Sequence, residues 1–309
     1  DCCLHWDDKA NRAFFQAVCE SKRFGSVCTN HYCEIVETNP AVQFCAVTFL
    51  LPNQTLFVAF RGTDESLVGW KEALDLAGFD STPGQRYAVA YLEEIIDKYK
   101  RPCTVGGHSK GGNFALYAGL NAKRSCQEQI RRIYCLDGPD LRKTMESTVA
   151  DKGIASKVIK IVPQNAVIGR LFDQKGKFLV VHAKGNGLAR HGLLSWQVRD
   201  TDLVISQKNH HLVKTQVCNR WLQRQNDKQY QLFTEYIYRM VRATQVETVR
   251  DLFHEWRKNV RKMRRFFKRA DNTQKEVFQN AKKTLVACLK EQYFPRRSMD
   301  ERDWISSTK

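Results

Sequence analysis

Residues Gly107-His108-Ser109-Lys110-Gly111 form a Gly-x-Ser-x-Gly pentapeptide between two runs of opposite preference. Residues 103–106, just before it, are β-prone, and residues 112–118, just after it, are helix-prone. A strand that passes into a helix through so few residues must turn sharply. Glycines are needed on both sides, where side chains would collide with the neighbouring strand and helix. A serine in such a turn is held in a strained conformation above the sheet, the arrangement of a nucleophile elbow. A hydroxyl is a poor nucleophile unless it is exposed and held near a base. The helix start also supplies unpaired N–H groups and partial positive charge where an oxyanion would develop. The alternative is an ordinary glycine-rich turn without chemistry.

Residues 55–60 read as a buried strand, β-rich and apolar. They run into Arg61-Gly62-Thr63-Asp64-Glu65-Ser66 and then Gly69-Trp70. In an α/β-hydrolase one oxyanion donor is the N–H after the nucleophile, here Lys110, and the other comes from the loop after an earlier strand. Thr63 is placed to be that second donor; the alternative is a polar turn with a helix-capping threonine. Residues 40–205 alternate strand and helix patterns, with turn signals at Pro52-Asn53, Pro83-Gly84, Gly138-Pro139 and Gly185-Asn186-Gly187. The pattern predicts an α/β fold, a central and mostly parallel sheet with helices on both faces. Residues 68–76 and 86–100 are candidate helices, the second amphipathic through Ala88, Leu92, Ile95 and Ile96. A lipase needs an amphipathic lid, and residues 67–79 are the one stretch before Ser109 that could serve.

Phe60-Arg61-Gly62-Thr63 with Trp70, followed by Gly107-His108-Ser109-x-Gly111-Gly112, resembles the class 3 (fungal-type) lipases. The chain is more closely similar to a bacterial family of α/β-hydrolases labelled Mbeg-like. The motifs that carry this are Gly107 to Asn113, Asp137-Gly138-Pro139, Val162-Pro163-Gln164, and His191 with Ser195-Trp196. The resemblance covers roughly residues 10–270. It implies the fold and a hydrolase site but no particular substrate, since one fold hosts many functions.

A triad histidine normally lies on a loop late in the chain. Residues 177–181 read as a late strand, with His182 at its end and His191 in the glycine-rich loop beyond. His191 is the candidate base, which the resemblance also implies; His182 is the alternative, and His108 reads as packing within the elbow. The third member is harder to place. In class 3 lipases it is an Asp soon after a later strand, here residues 156–162, but the loop that follows holds no acid before Asp173. Asn165 occupies the position. Asp137 and Asp140, after the strand at 130–136, are alternatives whose simpler reading is turn chemistry. An Asn can orient a histidine but offers no charge, and replacing a triad acid by its amide costs about 10⁴ in turnover.

The C-terminal third has a different character. Of the formal net charge of +17, residues 205–309 supply +13, with 24 Lys and Arg against 11 Asp and Glu. From about residue 227 the pattern is helical. Val246, Val249, Phe253, Trp256, Val260, Met263 and Phe267 form an apolar stripe on one long helix, expected to pack against the core. The organisation read from this is an α/β-hydrolase domain over residues 1–226 and a basic helical extension over 227–309, packed on or following it. Residues 250–270 could dock on an anionic membrane surface. No Cys/His finger, RNP sequence or helix-turn-helix glycine pattern accompanies them, so nucleic acid is not the expected partner.

Eleven cysteines are scattered without a Cys-x-x-Cys pair, several in apolar strands, which reads as buried thiols and no zinc site. No metal or cofactor is expected. With no signal peptide and no apolar run of about 18 residues, the chain reads as a reduced, cytoplasmic protein. It opens at Asp1 without a Met, as a fragment or processed product would. Two functions fit. One is a serine esterase or lipase acting on a small-molecule acyl ester or lipid through Ser109, His191 and the N–H groups of Thr63 and Lys110. The other is a hydrolase-fold binding or scaffold protein that reaches a polyanion through its basic helices.

Overall fold

The computed structural model of the chain describes residues 8–141, 152–172, 177–207 and 213–293. Helix α1 (Asp8–Glu20) precedes a seven-stranded sheet whose strands lie side by side in chain order. They are β1 (Cys28–Thr38), β2 (Ala41–Leu50), β3 (Leu56–Phe60), β4 (Cys103–His108), β5 (Ile130–Leu136), β6 (Val158–Pro163) and β7 (Leu179–Val181). The first three pair antiparallel, and from β3 to β7 every pairing is parallel. Strand β4 is therefore central, and its carboxyl end opens between the ends of β3 and β5. A two-stranded hairpin, β8 (Val198–Arg199) with β9 (Asp202–Leu203), follows.

The connections of the parallel half carry helices. They are α2 (Leu67–Asp75) and α3 (Pro83–Tyr99) after β3, α4 (Lys110–Asn121) and α5 (Arg124–Gln129) after β4, and α6 (Lys152–Ala155) before β6. Helix α3 starts where the sequence supplies a complete start signal. Thr82 accepts from the Gln85 N–H, Gln85 answers to the Thr82 N–H, and Pro83 fills the first turn. Its predicted apolar face, Ala88, Leu92, Ile95 and Ile96, is buried.

Register explains where the core lies. Val58, Val105 and Ile133 are in line across β3, β4 and β5, and none is exposed. Helices α3 and α4 pack over this face and against one another. The opposite face of the same strands, with Phe57 and Tyr134 beside Gly106, is only half-buried. The core thus differs from the expected sheet with helices on both faces. Parallel strands laid down in one direction, with crossovers of one hand, put their helices on one side. Phe44 is the hub of that side, within about 6 Å of the rings of Phe60, Tyr87, Tyr91 and Phe114.

Helices α7 (Val213–Gln223), α8 (Asp227–Arg242), α9 (Val249–His254), α10 (Trp256–Lys268) and α11 (Asn272–Tyr293) complete the fold. Helix α8 is fastened to the α2 region. The Tyr230 hydroxyl donates to Leu74 O, the Gln231 amide to Gly78 O, and the Thr234 hydroxyl to Asp75 Oδ1. A chain of rings, Trp221, Tyr230, Phe233, Phe278 and Phe267, binds α7, α8, α10 and α11 together.

The single long helix expected over Val246 to Phe267 is instead two, broken at Glu255 (φ −101°, ψ 35°). The buried Asn259 side chain donates to Asp251 O and Leu252 O, holding the last turn of α9 and fixing the break. The change of direction splits the stripe. Phe267 packs on Tyr236, while Phe253 and Trp256 stay 69% and 55% exposed.

Replacing the Phe44 ring should test the placement of the core. Phe44→Ala should lower the free energy of unfolding by about 3–5 kcal/mol in a urea titration, the range for a fully buried aromatic.

Candidate active site

The turn at Ser109 is shaped by the absence of side chains. A Cβ on Gly107 would lie 2.2 Å from Gly111 O, and one on Gly111 would lie 2.2 Å from Phe60 O. Strand β4, the start of α4 and the end of β3 therefore meet backbone to backbone. Ser109 absorbs the bend with φ 58° and ψ −128°, a conformation non-glycine residues rarely adopt. It stands at the N-cap of α4, yet its hydroxyl caps nothing. The turn is pinned by Ser109 N–H to Leu136 O, while Gly112 and Asn113 donate back to Ser109 O. The Lys110 N–H precedes these bonds at the helix start.

The loop after β3 closes on the same point. A Cβ added to Gly62 would sit 3.3 Å from Ser109 Cβ. Thr63 follows, and Asp64 then organises the turn by accepting from both the N–H and the hydroxyl of Ser66. Ser66 in turn caps α2 through Gly69 N–H.

Asp137 and His191 come from the far side. Asp137 is the first residue beyond β5, next to the elbow, and is 1% exposed. One of its carboxylate oxygens accepts from Gly169 N–H at 3.0 Å, and the other meets His191 Nδ1 at 2.6 Å. A carboxylate can only accept here, so Nδ1 carries the proton and Nε2 is left as the basic nitrogen. His191 lies in the loop beyond β7, within a 3-10 turn at Gly187–His191, and is about a quarter exposed. His108 holds that loop: its Nε2–H donates to His191 O at 2.7 Å and the two rings lie 4.5 Å apart. Packing within the elbow was foreseen for His108; its grip on His191 was not.

The other candidates are occupied elsewhere. Asn165 sits at φ 59° in the tight turn after β6, where Ala166 N–H returns to Pro163 O, and no hydrogen bond joins it to His191 among the described residues. Its backbone takes the left-handed conformation, which Asn tolerates. Asp140 pairs with Lys160 at 2.5 Å. The His182 backbone links β7 to the β8–β9 hairpin through Val204 O and Gln197 N–H. Asp173 and His5, His210 and His211 lie outside the described residues.

Beneath the elbow is an ion pair that no sequence pattern announced. The Lys110 side chain is buried, and its ammonium donates to Glu72 at 2.8 Å and to Gln43 O and Oε1 at 2.8 and 2.9 Å. Glu72 is wholly buried and also accepts from Gln43 N–H and Gly84 N–H. Burial pushes the Lys110 ammonium below the usual lysine range, and the Glu72 carboxylate opposes this. In sequence Glu72 follows Trp70-Lys71 within the candidate helix at 68–76, where nothing local marks it as buried. Only the packing of α2 against β2 turns it inward.

No cluster of His, Cys, Asp and Glu suited to a metal ion occurs among the described residues. A cleft of about 670 Å³ between α2, α8 and α10, lined by Lys71, Asp75, Phe79, Glu235, Arg239 and Phe266, contains none of Ser109, Asp137 or His191.

The mostly parallel sheet, the crossover helices on it and the strained serine turn at the end of its central strand define an α/β-hydrolase-type fold. The chain belongs to the Mbeg1-like family, whose model matches residues 18–239. No curated protein matches it. Three solved lipases are similar to it. A fungal lipase–inhibitor complex is 13% identical, with 65% of this chain and 80% of that one covered and a TM-score of 0.39. For lipase II from Rhizopus niveus the values are 17%, 52%, 66% and 0.35. For M37 lipase they are 14%, 54%, 64% and 0.38. The chain spans just under two thirds of the latter two.

Removing one half of the buried pair should be costly. Glu72→Ala strands the Lys110 ammonium in the core and should destabilise the protein by about 3–5 kcal/mol in chemical denaturation. Adding Lys110→Met should restore part of that loss only, because the Gln43 and Gly84 N–H groups still lack their acceptor.

Proposed function

We propose that the protein is a serine hydrolase of the esterase or lipase type, cleaving an acyl ester by nucleophilic attack from Ser109. The observation that carries this reading is a strained serine at the end of β4 whose neighbour His108 holds His191, a histidine with its Nδ1 2.6 Å from a buried carboxylate. Ser109 Oγ attacks the acyl carbon while His191 Nε2 takes its proton. Asp137 keeps the productive tautomer and stabilises the imidazolium. The N–H groups of Thr63 and Lys110 receive the oxyanion. Collapse of the tetrahedral intermediate breaks the bond to the alkoxy oxygen, and the alcohol leaves with the proton from His191. Water then attacks the acyl-enzyme by the same route in reverse, giving the acid and free Ser109. In this reading the third member is Asp137 and Asn165 has no catalytic part.

One observation favours the alternative, a hydrolase-fold binding protein. No hydrogen bond joins Ser109 Oγ to His191 among the described residues. Such bonds often tighten only when substrate arrives, so labelling decides. A fluorescent fluorophosphonate should label the folded protein, and the label should vanish in Ser109→Ala and His191→Ala. A folded protein that takes no label would support the binding reading instead.

The acid assignment has its own test. With a short-chain nitrophenyl ester, Asp137→Asn should lower kcat by about 10⁴, whereas Asn165→Ala should leave it nearly unchanged. The reverse pattern would return the role to Asn165.

A further inference from the structure

We propose that the α9–α10 segment is a docking surface for an anionic phospholipid bilayer, set beside the mouth of the active site. Residues 250–270 hold nine Lys and Arg against two Asp and Glu. Three of the cations are engaged: Arg250 with Glu65, Lys258 with Glu255, and Lys262 with Thr244 O. Arg261, Arg264, Arg265, Lys268 and Arg269 have no acidic partner among the described residues. Next to them Phe253 and Trp256 are more than half exposed, and the Arg257 guanidinium lies 5.4 Å from the Trp256 ring centre. Exposed cations and exposed aromatic rings on one segment match a headgroup layer. The charges meet lipid phosphates while the rings enter the acyl boundary.

Position ties the surface to the site. Leu67 N–H donates to Glu247 O and Val249 N–H to Glu65 O, so the segment leading into α9 is bridged to the loop that carries Thr63. Glu65 is three residues from Gly62, which touches Ser109, a reach of at most about 11 Å. Across the elbow the His191 loop exposes Leu188, Leu193 and Leu194. Both rims lie beyond the carboxyl ends of the same parallel strands. Phe253 and Trp256 with nearby cations would suit either a bilayer or single-stranded nucleic acid, but the exposed leucines of the other rim offer a base nothing to stack on and suit an acyl layer, which favours lipid as the occupant. Among the described residues no helix is long and apolar enough to cross a membrane, so docking at the surface is the mode proposed. That the docked lipid is also substrate rests on the hydrolase reading; the docking itself does not.

The test is flotation of the full chain with vesicles of phosphatidylcholine alone or with 30 mol% phosphatidylserine. The protein should float with the anionic vesicles only and be released by about 0.5 M NaCl, where screening is strong. Replacing Arg261, Arg264, Arg265 and Lys268 by Gln should weaken partitioning on the order of 10²- to 10³-fold, with fluorophosphonate labelling and melting temperature unchanged. Phe253→Ser with Trp256→Ser should weaken it while leaving its salt sensitivity. Equal binding to neutral vesicles, binding unaffected by these variants, or tighter binding to single-stranded RNA at the same salt would each overturn the proposal. Ser109→Ala should float like the parent. Flotation by a protein that takes no label would sink the hydrolase reading and leave the docking surface standing. Labelling without flotation would do the opposite.

Discussion

Everything at the candidate site depends on three stretches of backbone that touch with nothing between them. The end of β3, the end of β4 and the first turn of α4 meet at Phe60, Gly107 and Gly111 with no room for a Cβ. Because those backbones are so close, the chain must reverse within one residue, and that residue is Ser109. The same closeness brings the β3 loop to within contact of Ser109 at Gly62. It also puts the first free N–H of α4 beside that loop. A strained backbone of this kind persists only where its surroundings over-determine it, and here two strands, a helix and a loop do so.

The second support is electrostatic and lies on the inner side of the same turn. The residue after the serine sends its side chain down into the core. Glu72 and Gln43 receive the ammonium, so β2 and α2 are joined to the elbow through one cation. Such a pair adds little net stability, since the desolvation of two ions roughly offsets their attraction. What it adds is position: α2 cannot shift against β4 without stranding a buried charge.

Much of this could be read from the chain because local rules and the fold agree. The pentapeptide and the apolar face of α3 depend on neighbours in sequence. The proposed third member, Asp137, did not stand out in the same way. Asp137 sits in Asp-Gly-Pro, which is equally good turn chemistry, and Asn165 falls where related enzymes place an acid. What favours Asp137 is its hydrogen bond to His191 Nδ1, together with a Gly169 that leaves room for the carboxylate. Glu72 gave no signal, because its burial comes from α2 lying on β2. The break at Glu255 was hidden too, since Asn259 reaches back across seven or eight residues to carbonyls that periodicity does not register.

The bridge between residues 247–249 and the loop at Glu65–Leu67 ties the C-terminal helices to the loop that carries Thr63. Two backbone hydrogen bonds and the Arg250–Glu65 pair carry any movement of α9 to a loop two residues from Thr63. Coupling of this kind is reciprocal. If an event on the basic surface shifts the loop and so changes the affinity of the site for a ligand, then filling the site changes the affinity of that surface by the same factor. Charge on the basic surface and occupancy of the site beside it are then two readings of a single equilibrium.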